Sequence, residues 1–166
     1  MLTSAPTPAS YGISNLTKNI YPLIKHSKYA IDPHASMAYN IDMNKNLIPQ
    51  VIVETTPYIK AVDAIWDKDM QIEFKNFIGI NYMQGDVIPG TGGLRKIRWQ
   101  SNGHGKRGGA RIIYYFYNAN QPIYLLFAYP KNVQVNLTEH EKKLFSNVVS
   151  QLKEALRKKE AENNGR

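Results

Sequence analysis

Between Gly85 and Asn132 stand seven cationic side chains, Arg95, Lys96, Arg98, Lys106, Arg107, Arg111 and Lys131, and a single acid, Asp86. Trp99, Tyr114, Tyr115, Tyr117, Tyr124 and Tyr129 are interleaved with them. The first 84 residues are balanced in charge, so this stretch supplies most of the formal net charge of +8. A run of one sign is often only a solvated face, but cations clustered with stacking surfaces are the make-up of a polyanion-binding surface. The chemistry open to such a set is phosphodiester cleavage in RNA. That reaction needs the 2′-OH deprotonated, the pentacoordinate phosphorane stabilised and the leaving 5′-oxygen protonated. Arginine can hold the non-bridging oxygens bidentately, and a lysine or tyrosine beside other cations can exchange the protons.

Other chemistries are poorly supplied. Carboxylates are nearly absent from the basic stretch, which leaves a two-metal nuclease without ligands. His26, His34, His104 and His140 show no metal-ligand spacing, and the chain has no cysteine. No metal or cofactor is expected. The glycine run Gly90-Thr91-Gly92-Gly93 lacks the Gly-Lys-Ser/Thr ending of a nucleotide cradle. The N-terminus has neither the basic start nor the apolar stretch of a secretory signal, and no apolar run is long enough to span a bilayer. A soluble, cytoplasmic protein without a membrane partner is the expectation.

The elements that must position these residues begin at Val51. Residues 1–50 are rich in Ser, Thr, Asn and Pro with no sustained period, and read as an N-terminal extension. Val51-Ile52-Val53-Glu54-Thr55 suits a strand. Thr56 reads as an N-cap ahead of Pro57, with Ile59, Val62, Ile65 and Trp66 as the stripe of a helix. Asp67 and Asp69 can start a second helix carrying Met70, Phe74, Phe77 and Ile78. After the glycine-rich loop, Leu94–Gln100 is a strand in which Ile97 and Trp99 alternate with Arg98, and Arg95 falls on the Ile97 side. Residues 101–109 form a second glycine-rich loop, holding His104, Lys106 and Arg107. Ala110–Tyr117 and Ile123–Tyr129 complete an antiparallel meander. Thr138-Glu139-His140-Glu141 is a capping box for a final helix with Leu144, Phe145, Val148, Val149, Leu152 and Leu156 buried, and residues 158–166 are a basic tail expected to fray.

The order predicts an α+β domain over 51–157: an antiparallel four-stranded sheet with two N-terminal helices and a C-terminal helix on one face. The other face stays open for cations. Arg111 opens the central strand while Tyr129 and Lys131 close the next, so the three should meet. Arg111 and Lys131 are candidates to catalyse or to hold phosphate. Tyr129 either exchanges a proton or is a core-edge tyrosine. The general base stays open among Lys131, Tyr129 and Lys106, and His104 is either an RNA contact or a solvated loop residue.

The run Gly85-Asp86-Val87-Ile88-Pro89-Gly90-Thr91-Gly92-Gly93-Leu94-Arg95-Lys96-Ile97-Arg98 is followed by Gly105-Lys106-Arg107-Gly108-Gly109-Ala110-Arg111-Ile112-Ile113-Tyr114-Tyr115-Phe116. With Tyr124-Leu125-Leu126, Lys131-Asn132 and Leu137-Thr138, it resembles the HigB branch of RelE-type toxins in the RelE/ParE superfamily, over about Val51 to Arg157. The resemblance implies the toxin of a type II toxin–antitoxin pair. Such a toxin is a metal-independent endoribonuclease that cuts messenger RNA in the ribosomal A site and is restrained by an antitoxin, here of the helix-turn-helix HigA kind. It further implies that Arg111 belongs to the active site, that Arg95, Arg98, Lys106 and Arg107 help bind RNA and the ribosome, and that Tyr129 and Lys131 hold the strand-end positions; Lys96, in the same basic strand, is a further candidate for RNA binding. Two features depart from the pattern. Pro130 precedes Lys131 where a small residue is usual, and fifty residues precede the first strand. Met43 offers an alternative start giving a chain of the usual family length, so residues 1–42 are either an unusual addition or lie upstream of the true start. A non-catalytic RNA- or ribosome-binding module and a ParE-type gyrase poison are the competing functions. The ParE branch generally lacks the basic set, so Arg111, Lys131 and the loop cations weigh against it.

Overall fold

The computed structural model describes residues 49–100, 109–131 and 136–165. Nearly all of the expected N-terminal extension and the loop residues His104, Lys106 and Arg107 lie outside the described residues. The element order is β1 (Ile52–Glu54), α1 (Thr56–Asp63), α2 (Lys68–Asn81), β2 (Asp86–Val87), β3 (Leu94–Trp99), β4 (Ala110–Phe116), β5 (Ile123–Pro130) and α3 (Glu139–Asn164).

Local signals account for most boundaries. Asp67 caps α2, its carboxylate accepting the Met70 N–H at 2.9 Å, and Thr138 and Glu141 close the capping box of α3 reciprocally. At α1 the cap is one residue earlier than expected. Thr55 is the N-cap and accepts from the Tyr58 N–H, while Thr56 and Pro57 are already helical. The same Thr55 hydroxyl lies 3.0 Å from the carbonyls of both Leu125 and Leu126, which ties the start of α1 to the middle of β5. A β-bulge there leaves Leu126 as the extra residue between the pairs Ile113–Phe127 and Tyr114–Leu125. Helix α3 runs through residues 158–164, where a frayed tail is expected. Strong helix formers and the Glu154–Lys158 pair at 3.3 Å support those last turns.

The sheet differs from the expected four antiparallel strands. It has five strands in the order β1-β5-β4-β3-β2 and is mixed: β3, β4 and β5 form the expected meander, β1 adds to β5 in parallel, and two residues of the glycine-rich segment add β2 antiparallel to β3. The parallel β1 is a non-local pairing that local sequence signals do not encode. β2 is too short to carry a pattern.

The helices are also not confined to one face. Ile112, Ile113, Tyr114 and Tyr115, four consecutive residues of β4, are each at most 2% exposed, so both faces of the sheet are covered. On one face Trp99 meets Phe74 and Phe77 of α2, with ring centroids 5.7 and 4.4 Å apart, and Phe116 stacks on Tyr82 at 4.3 Å. The other face carries Leu94, Ile113, Tyr115, Phe127 and Tyr129, all buried, and packs against α3. Lys153 of α3 donates to the Gly92 carbonyl at 2.7 Å, and Phe145, Val148, Val149, Leu152 and Leu156 are its buried stripe. The run Ala110-Arg111-Ile112-Ile113-Tyr114-Tyr115-Phe116 announces this double coverage, because a strand with one solvated face would alternate. The cations on the α3 side of the sheet, Lys96, Arg98, Arg111 and Lys131, therefore do not lie on an open face: Arg98 is exposed and the other three are half-buried.

Candidate nucleic-acid interface

Register decides which cations share a face. Arg98 of β3 is paired with Arg111 of β4, and Arg111 with Tyr129 of β5. Directly opposed residues project to the same side, so these three form a row across the sheet on its α3 face. Two residues further along is Lys131, whose N–H donates to the Gly109 carbonyl at 3.1 Å. Two residues back on β3 is Lys96. The expected meeting of Arg111, Tyr129 and Lys131 is thus present in the backbone pairing, and Arg98 and Lys96 join it along the β3 edge.

The side chains have distinct environments. Arg98 is exposed, and Arg111 is half-buried with its Nη1 donating to the Lys131 carbonyl at 2.8 Å. That bond holds the guanidinium over the end of β5. Lys131 sends its ammonium to Oε1 of Gln100 at 3.3 Å, and Lys96 sends its own to Oδ1 of Asn136 just ahead of α3 at 3.3 Å. Pro130 does not detach Lys131 from the sheet, because the lost N–H is one residue before the bond to Gly109. Arg98 and Arg111, directly opposed across the strands, set two guanidinium groups side by side on this face.

Tyr129, opposite Arg111 on the neighbouring strand, is 1% exposed, and its hydroxyl finds no partner among the described residues. Burial pushes the phenol pKa up, the Arg111 charge lowers it and Glu141 raises it, with a net upward shift. At neutral pH this group is a protonated donor rather than a base, and its oxygen is covered. Glu141, itself buried in the capping box, enters the site's electrostatics through Tyr129. Its role as a helix cap is readable from sequence; its position beneath the sheet end is not. Gln100 was not expected either, although it continues the Lys96–Arg98 alternation.

Arg95 is separated from this group. It faces the α2 side, paired with Tyr114, and its Nη1 donates to the Gly85 carbonyl at 2.7 Å and the Met83 carbonyl at 3.1 Å. It closes the turn after α2, where Tyr114 also works: the tyrosine hydroxyl accepts from the Gly85 N–H at 3.0 Å and donates to the Tyr82 carbonyl at 2.8 Å.

Residues 79–163, from the end of α2 almost to the end of α3, match the family described as the RelE toxin of the RelE/RelB toxin–antitoxin system. The chain belongs to the RelE toxin family. The matched span contains all of the row Arg98–Arg111–Tyr129, together with Lys96, Gln100, Gly109 and Lys131. A toxin role follows from the family. Among the described residues, no helix is long and apolar enough to cross a membrane.

Proposed function

We propose that this RelE-family toxin is a ribosome-dependent endoribonuclease of the HigB-like kind, cleaving messenger RNA in the A site by acid/base chemistry without a metal. The observation that carries this reading is the register that sets Arg98 opposite Arg111, with Lys131 on the same side of the sheet. The guanidinium groups of Arg98 and Arg111 would hold the non-bridging oxygens of the scissile phosphate and offset the charge that grows on them. Lys131 is the candidate for exchanging protons with the 2′-OH or the leaving oxygen, with Lys106 as the other candidate. Tyr129 takes the β5 place in the row as a packing residue beside Arg111, in keeping with its buried, protonated phenol.

Lys96 belongs to the RNA- and ribosome-binding set, together with Lys106, Arg107 and His104 of the glycine-rich loop. Arg95 does not, because its guanidinium is engaged with two carbonyls on the other face. The partner that restrains the toxin is an antitoxin, proposed to be of the helix-turn-helix HigA kind, and the site of action is the cytoplasm, where ribosomes are. Induction of wild type and of Arg111→Ala, with mapping of messenger-RNA 5′ ends, tests the reading. Wild type should create new ends within translated messages and the variant should not. No new ends with wild type, or equal cutting by the variant, refutes the enzyme. Retained ribosome binding without cleavage by either protein would identify a non-catalytic module.

A further inference from the structure

The side chain of Lys131 takes an unusual route. It leaves the end of β5 and reaches Gln100 beyond the end of β3, so it must cross the intervening strand. The crossing point is Gly109, just before β4. A methyl group there would lie 2.5 Å from Cδ of Lys131, 3.1 Å from Cε and 3.3 Å from Cγ, closer than carbon atoms pack. Gly109 is not needed for its backbone: among the described residues the glycines with left-handed φ are Gly90, Gly92 and Gly93. Its lack of a side chain is used for space, and the space is filled by the stem of Lys131.

We propose that Gly109 and Gln100 are positioning residues for Lys131: the bare α-carbon opens the passage across β4, and the Gln100 amide oxygen fixes the ammonium on the side of the sheet that carries Arg98 and Arg111. This rests on the ribonuclease reading for its consequence, though not for its geometry. An alanine at 109 leaves the strand intact, since nothing but the flexible lysine stands in the way, and sends the amine elsewhere. A displacement of about 1 Å in a group that moves a proton lowers turnover on the order of a hundred-fold.

A double-mutant cycle tests the proposal, with cleavage measured on programmed ribosomes. Gly109→Ala should melt close to wild type, lower kcat about a hundred-fold and leave KM nearly unchanged. Added to Lys131→Ala it should have no further effect, because the group it displaces is already gone. Multiplying losses, or a folded Gly109→Ala that cuts like wild type, would overturn the proposal. If Gly109→Ala does not fold, Gln100→Leu takes its place, with about a ten-fold loss expected in wild type and none in Lys131→Ala. A nuclear Overhauser contact between the Gly109 α-protons and the Lys131 side chain reads the geometry without cleavage. Its presence in a wild-type protein that does not cut would remove the ribonuclease reading alone, and its absence would remove the positioning.

Discussion

Arg95 and Arg98 stand three residues apart on β3 and carry the same charge, yet they belong to different parts of the molecule. Arg95 faces the α2 side, where it ties the turn after that helix to the sheet through two backbone carbonyls. Arg98 faces the α3 side, exposed and opposed to a second arginine. Charge density along the chain cannot separate the two, whereas the period of a strand and the register of its partner can. A basic stretch is thus divided between the two faces of the sheet, and the proposed function assigns only the α3-side cations to a ligand.

The largest expected effect concerns what both sides share, buried tyrosines. Tyr115 and Tyr124 are pushed up to about 12 by burial, and Tyr58, Tyr114 and Tyr129 are raised as well. Because the folded pKa lies above the unfolded value near 10, the stability these groups contribute is complete below that pH. It is lost as pH rises from there through about 12, since the unfolded chain releases phenolic protons that the folded chain retains. Circular dichroism melts should show Tm falling steeply above pH 10, and a flat profile to about pH 12 would contradict the packing of both faces.

Next in size is Tyr114→Phe, which leaves the Gly85 N–H and the Tyr82 carbonyl without their partner. A loss of about 1–3 kcal/mol is expected in urea unfolding, with ribosome affinity unchanged for the folded fraction. Arg95→Ala should cost less, about 1 kcal/mol, because its bonds are partly solvated. It should leave the salt dependence of RNA binding as it is. Arg98→Ala should do the reverse, with little change in melting and a salt-dependence slope for ribosome or RNA binding that is smaller by about one. If the two arginine variants exchange these phenotypes, the division of β3 is wrong.

Much of this arrangement was legible in the chain. The caps at Asp67 and Thr138, the meander and the meeting of Arg111 with Tyr129 and Lys131 all follow from local patterns, because a tight antiparallel hairpin leaves few registers. The parallel docking of β1 on β5 depends on contacts about seventy residues apart, which no local pattern records. The second covered face was signalled by the unbroken apolar run of β4, against the assumption that a small antiparallel sheet keeps one face wet. Arg95's side was visible in the alternation with Ile97, but its carbonyl partners depend on where α2 ends. Gly109 in sequence is one more glycine of a loop, and only the path of Lys131 distinguishes it.

The most direct test of the central claim is messenger-RNA cleavage on purified, programmed ribosomes by wild type, Arg95→Ala and Arg111→Ala, assayed at a temperature where all three are folded. Wild type and Arg95→Ala should cut at the same positions at similar rates, while Arg111→Ala falls by about a hundred- to a thousand-fold, as expected when a charge-stabilising donor is removed. Equal cutting by Arg111→Ala, or a loss with Arg95→Ala as deep as that with Arg111→Ala, would contradict the assignment of the α3-side row as the working surface.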